Sequence, residues 1–502
     1  MYSNFPFQKL IYFINFENIS EQILMKKLLL FFLLLSQSIL ISQTILNSSV
    51  LNLSKPAESG QLINAENTKT HEVYVFASDN KAINILKFNK SLFLANQFKD
   101  TLRAEKKRVL MGYSFGEDEN PTLYWDSENH KSIRIIKYNL ETKKSTSLNF
   151  DFPANTGNII TSFQKNNAFY VLSKEKDQEH LLLFEFRNDK CEIKMFDFTS
   201  FSFKNEKAQN LSFSALVQYH YPIEKIETDD FSTLDKTEKK SKMYVFDDRI
   251  ILTFDYNINH TQVFNLNLQT SEVTEKIFDT PVTQTASKST NSFYLENKLY
   301  QLSANSEQFL FSIKDFYSGK DIKTISVSKN DTISFKNSPM FLQINEEKPQ
   351  KLKTTSKFLK QLSTVNATLS AFKNKQITFI TFGGFASYQS FGISYNYGQN
   401  NIQDSSKMVF FDAALNSDFE FINNSQAEPL AIDNLNYFMS NSKNILMVSI
   451  IKLTDFYILG YYDVDTKSYT MRKFTDGFMD QGFGNPIMNK AIFSKSIPLN
   501  RN

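Results

Sequence analysis

Five histidines, one cysteine and three short acidic clusters are the side chains through which this chain could do chemistry. The histidines are His71, His130, His180, His220 and His260. No two stand at metal-ligand spacing, and no His-Glu-x-x-His segment exists. They read as surface or hairpin residues, unless the fold gathers them from distant positions. Glu117-Asp118-Glu119, Asp229-Asp230 and Asp247-Asp248 carry enough charge to share a proton or hold a hard cation. Adjacency alone does neither, because neighbours on an extended chain point apart. Asp247-Asp248 reads as a hairpin turn and Asp229-Asp230 as part of a charged loop. Cys191 follows Asn188-Asp189-Lys190 with no base beside it, so it reads as a half-buried structural thiol. Standing alone, it excludes an intramolecular disulfide and a cysteine metal cluster. There is no Gly-x-Ser-x-Gly elbow, P-loop or dinucleotide fingerprint. No catalytic residue, metal ligand or cofactor is therefore assigned.

The strongest binding signal is aromatic. Tyr388, Phe391, Tyr395 and Tyr397 fall in a stretch holding Gly383, Gly384, Gly392 and Gly398, four of the chain's 13 glycines. Tyrosine with Gly, Ser and Asn is the composition of recognition loops, and flat rings suit sugars. The competing reading is a strand-forming insertion whose tyrosines pack on the body of the protein.

Those residues need a scaffold, and the pattern around them is β. From about residue 71 the chain breaks into short apolar runs split by polar turns, such as Val73-Tyr74-Val75-Phe76 and Ile250-Ile251-Leu252-Thr253-Phe254. Consecutive apolar positions mark strands buried on both faces. Phe 49 and Tyr 22 against one Trp also suit strands. No helix-period segments recur that could cover a parallel sheet. A turn of the form Asn/Asp, apolar, any residue, Thr/Ser recurs at Asn139, Asn267, Asp315 and Asp463, with looser versions at Asn89, Asn188 and Asn416. Its first residue can bond its own backbone two residues on. The gaps between these turns are 50, 49, 79, 48, 101 and 47 residues, four of six near a propeller-blade period. The fold class expected is an all-β propeller of seven blades, with six and eight also open. Its body spans 71–485, with insertions at 222–242 and 383–407 and a tail at 486–502. The charged run 223–242 reads as a solvated loop. Residues 353–362 read as a short helix capped by Thr354 or Thr355, with Phe358, Leu359 and Leu362 on its apolar face.

At the other end, Met25-Lys26-Lys27 precedes an apolar run from Leu28 to Leu35 and then a small or polar stretch. These are the parts of a signal peptide over 25–43, with a retained N-terminal anchor as the alternative. Residues 1–24 read as an upstream extension foreign to the native protein, and 44–70 as a linker or closing strand. The chain carries a formal +3, and the segment to be removed holds Lys9, Lys26 and Lys27 against Glu17 and Glu21, leaving +2. That balance gives no electrostatic case for nucleic acid or an anionic membrane surface. About 460 residues would remain, enough to bury roughly three-quarters of the unfolded surface.

The signal segment, the 353–362 segment and the β-run with Gly383-Gly384 together resemble uncharacterised exported propeller-like proteins of Bacteroidetes bacteria, a group with no known activity. The resemblance implies a place in the cell envelope, periplasmic or surface-associated. Asp100-Thr101-Leu102 and Asp331-Thr332-Ile333 are similar to the triplets that such bacteria O-glycosylate, which marks Thr101 and Thr332. The expected function is non-enzymatic binding or scaffolding of an envelope protein or glycan, with no stable membrane span after cleavage. The alternative is an envelope hydrolase or lyase acting on polysaccharide or peptide at the propeller's channel mouth.

Overall fold

The computed structural model describes residues 43–101, 109–127, 130–285, 288–345, 347–393, 400–422 and 429–477. The proposed extension 1–24, nearly all of the signal segment and the tail 486–502 lie outside the described residues.

Strands Gln61–Asn67, Glu72–Ser78, Ala82–Phe88 and Leu94–Thr101 form the first sheet as an antiparallel meander. Its burial pattern explains the plan of the whole molecule. The second and third strands bury nearly every residue, because each of their faces meets a neighbouring sheet. The fourth strand is mostly exposed and forms the rim. The first strand faces the axis and touches the first strands of the adjoining sheets, Val109–Phe115 on one side and Ile445–Lys452 on the other. Sheets over 109–151, 156–197, 223–279, 289–328 and 340–415 follow. The ring closes where strand Gln43–Val50 pairs antiparallel with Ser468–Phe474, becoming the outer strand of the last sheet. The described residues thus hold seven sheets of four or five strands in an all-β propeller, with a two-stranded ribbon at Phe203–Lys204 and Asn210–Leu211.

The recurrent turn has a shared geometry. Asn139, Asn267, Asp315, Asp463, Asn89 and Asn416 each accept backbone N–H bonds from residues two to four positions on, at 2.8–3.0 Å. The turns at Asn89, Asn139, Asn188 and Asp315 follow the third strand of their sheet, that at Asn267 the fourth strand of a five-stranded sheet, and that at Asn416 the strand third from the inner edge of its sheet. Asp463 instead joins the second and third strands of the last sheet, on the opposite face. Its spacing of 47 from Asn416 is therefore coincidental. The gap of 101 is a single five-stranded sheet, in which the outer strands Met340–Ile344 and Gln350–Leu352 precede the inner three in sequence. Between them and the inner strand lies helix Thr355–Leu362. Its N-cap Thr354 side chain accepts the Lys357 N–H, and Phe358, Leu359 and Leu362 are buried.

Three boundaries differ from those the spacing predicts. Gln61–Asn67 is a sheet strand, so the propeller begins before 71, Gln43–Val50 is the closing strand that 44–70 allows, and the last described strand ends at Phe474. Within 383–407 the described residues 383–393 and 400–407 are strand. They belong to one long hairpin, Ile377–Ile393 paired residue by residue with Asn400–Leu415. A Cβ on Gly383 would stand 2.0 Å from the Val409 carbonyl oxygen, and one on Gly384 2.5 Å from Val365. Close packing, not loop adaptability, requires these two glycines.

The third difference concerns 222–242, which is not a solvated loop. Strand Ile223–Ile226 adds to the inner edge of the fourth sheet, parallel to Ser241–Val245. Helix Leu234–Thr237 follows, with Leu234 and Thr237 buried. Lys242 is fully buried and donates at 2.8 Å to the Asp255 carboxylate, to Asn291 and to the Lys239 carbonyl. A charge-rich segment can leave solvent when each charge finds a fixed partner.

Candidate functional site

The segment 227–238 leaves the fourth sheet and runs along the inner strand of the sixth, Asn366–Asn374. Ser370 donates to the Ser232 carbonyl, Thr368 to the Thr237 hydroxyl and Asn366 to the Glu238 carboxylate. Leu234 packs against Met408 and Phe410, with Phe341 and Phe385 at the edge of the cluster. On its other side, Lys452 donates to the Asp229 carbonyl and Tyr457 to the Asp230 carboxylate, both from the last sheet. The segment is therefore a wedge between the sixth and last sheets. Other neighbouring sheets meet through direct apolar clusters, and among the described residues no such cluster joins this pair.

Electrostatics follow from this placement. Burial pushes the Asp230 carboxyl up to about 6, although Tyr457 and Lys452 oppose the shift. Burial and Asp230 together push the Tyr457 hydroxyl far above its ordinary range. Glu227 lies deep in the molecule, which works against its charge, yet Lys225 at 2.6 Å holds its carboxyl below the usual range. Its side chain still keeps 49 % of its surface open.

At the end of the wedge the turns after the inner strands of the fifth, sixth and last sheets converge. They border an open cleft of about 560 Å³, lined among others by Asp229, Glu296, Lys373, Lys375 and Lys452, with Thr228 and Thr454 beside them. That volume is of small-molecule size. Both Glu296 oxygens accept from Lys373, at 2.9 and 2.7 Å. The Lys452 ammonium lies over the Phe372 and Tyr457 rings at 5.0 and 5.7 Å. Lys375 sits at φ 56° in the two-residue turn of the sixth sheet.

Residues singled out from sequence are dispersed. His71 meets Glu66 at 2.9 Å, His130 meets Asp126, and His180 meets Glu175 at 2.7 Å with Asp197 at 3.4 Å. His130 and His180 stand at the entry to the third strand of their own sheets and His260 at the entry to the fourth strand of its sheet, separate corners and not a cluster. Among the described residues no three His, Cys, Asp or Glu side chains are grouped to hold a metal. Asp118 accepts from Asn120 and pairs with Lys137, Asp247 pairs with Lys165 and Asp248 with Arg249. The half-buried Cys191 thiol is pushed up to about 12 by burial, which removes its nucleophilic form at neutral pH.

Of the aromatic platform only the Tyr388 side chain is described. Tyr388 is exposed, and its hydroxyl donates to the Thr364 carbonyl at 3.0 Å, beside the end of helix Thr355–Leu362. Phe391 lies on the backbone of the long strand, and Tyr395 and Tyr397 fall outside the described residues. Thr101 ends an outer strand and Thr332 lies in a turn, both exposed. The cavity lysines were not foreseeable as a group. Asn374-Lys375 and Glu296-Asn297 signal only two tight turns, and nothing in their spacing says that the turns meet.

No family model matches the chain, and no curated protein matches it in sequence. Similar solved structures include a Dos1 propeller at 10 % identity and TM-score 0.23, covering 82 % of this chain and 78 % of that one. The WD40 domain of SCAP from fission yeast is 9 % identical at TM-score 0.26, covering 70 % and 84 %. Hsv2 of Kluyveromyces lactis is 8 % identical at TM-score 0.28, covering 84 % and 100 %. The propeller assignment rests on the sheet topology, and no ligand, partner or activity is carried over from these structures.

Proposed function

We propose that this protein is exported to the cell envelope and acts there by binding an envelope protein or glycan, not by catalysis. The observation that carries this reading is the wedge. The chain fills the gap between two sheets with its own segment, and the ionisable groups there bond to one another. Glu227 goes to Lys225 and Asp230 to Tyr457. A general acid or base needs a free side chain facing the substrate, and these are already committed. Export is supported by the charged, apolar and small-residue succession over 25–43. Among the described residues no helix is long and apolar enough to cross a membrane. Glycosylation at Thr101 and Thr332 fits their exposure.

Co-purification of the tagged protein from envelope extract, with mass spectrometry of what accompanies it, tests the reading. Recovery of a defined envelope protein or glycan is expected. Retention of the tagged protein in the cytoplasm would overturn export. Turnover of polysaccharide or peptide by the purified protein would overturn the binding role.

A further inference from the structure

We propose that the cavity between the turns of the fifth, sixth and last sheets binds an anionic monosaccharide unit, one sugar ring bearing a carboxylate or a phosphate. This deepens the binding reading and rests on it. The inference follows from how the charges around the cavity are already spent. Of three ammonium groups, Lys373 is neutralised by both oxygens of Glu296. Lys452 is held by the Asp229 carbonyl and two ring faces, partners that carry no full charge. Lys375 has no side-chain partner among the described residues and stands exposed on a left-handed turn. Two cations are thus available to an anionic group, which an ammonium meets as a point charge.

A cavity lined only by cations would favour any small anion. This one also presents the Asp229 carboxylate, which has no cationic side chain bonded to it, and the Thr228 and Thr454 hydroxyls. An anion lacking donors would be repelled by Asp229. A ligand that places its charge on Lys375 and Lys452 and turns hydroxyl groups toward Asp229, Thr228 and Thr454 satisfies every group. An acidic sugar carries both features on one rigid ring, and about 560 Å³ accommodates one such ring with ordered water. Both Lys373 and Glu296 remain as a fixed pair on the wall, so neither needs to break its bond.

Isothermal titration calorimetry on the full mature chain tests this with four probes: glucuronate, glucose 6-phosphate, glucose and glutamate. Binding of glucuronate or glucose 6-phosphate, at least tenfold tighter than glucose and glutamate, is expected. The stronger of the two assigns the charge as carboxylate or phosphate. Lys375→Glu should weaken that binding at least tenfold while leaving the melting temperature unchanged, since among the described residues the side chain is exposed and makes no hydrogen bond or ion pair. Asp229→Asn should weaken it several-fold and narrow the difference between the acidic sugar and glutamate. The proposal is overturned if neither acidic sugar binds, if glutamate binds as tightly, or if Lys375→Glu changes nothing. A partner recovered from envelope extract and retained by Lys375→Glu would then leave the broader binding role standing without this site.

Discussion

The fourth and fifth sheets meet face to face, whereas the sixth and last sheets do not. At the first interface, Tyr244, Ile251 and Val263 pack with Phe293 and Tyr300 in one apolar cluster. Inside it lies a buried ion pair. Asp255 accepts from Lys242 at 2.8 Å, from Thr261 at 2.7 Å, and from the backbone and hydroxyl of Ser292 at 3.0 and 2.9 Å. Burial works against the Asp255 charge, yet Lys242 and these donors hold its carboxyl below the usual range. At the second interface a borrowed segment supplies one leucine, a few hydroxyls and the Asp230–Tyr457 bond. The contrast shows two ways to seal a ring. One packs apolar faces directly and pairs the two charges it buries, Lys242 and Asp255. The other fills a wide gap with a removable piece and leaves a cavity at its end.

The largest effect should come from the interface of the fourth and fifth sheets. Asp255→Ala leaves the buried Lys242 ammonium with only the neutral acceptors of Asn291 and Lys239 and should cost about 3–5 kcal/mol, read from urea denaturation. A loss below about 1 kcal/mol would mean that water reaches this pair, and the contrast would fail. Next, Leu234→Ala removes the wedge's apolar anchor and should cost about 2–4 kcal/mol. Hydrogen exchange should then rise at 366–370 and around 457 while amides near 242 and 292 stay protected. Uniform loss of protection would show that the wedge belongs to the same cooperative unit as the rest.

A smaller effect is specific to pH. The Asp230 carboxyl keeps its proton to about pH 6 in the folded protein, against about 4 when exposed. The folded state therefore binds this proton more tightly than the unfolded chain. The stability it contributes is complete below about pH 4 and is lost as pH rises through 6. Carboxyls held low, such as Asp79 and Asp255, act in the opposite sense, so the informative quantity is a difference. Urea midpoints of wild type and Asp230→Asn between pH 4 and 7 should diverge, with the variant gaining on wild type as pH rises. Parallel curves would place Asp230 in solvent and loosen the wedge from the last sheet.

Much of the scaffold was legible because it depends on local chemistry. Asx-type turns bond their own backbone wherever the chain goes, so Asn139, Asn267 and Asp315 marked real corners. Thr354 and the apolar positions 358, 359 and 362 specified a helix through capping and periodicity alone. Reasoning failed where a residue's meaning lay in a distant partner. Charge in the 223–242 run suggests a preference for water, whereas Lys242 and Asp230 are met by Asp255 and Tyr457. Gly383 and Gly384 looked like a loop because their neighbours Val409 and Val365 are set by strand pairing.

Strand periodicity, turn chemistry and the apolar runs were determined by the sequence itself, since each is satisfied within a few residues. The closing of the ring by Gln43–Val50, the use of a fourth-sheet segment to fill a distant gap, and the meeting of Lys373, Lys375 and Lys452 were decided only by tertiary structure. Those pairings join positions up to some 430 residues apart, and no local preference of either partner encodes the other.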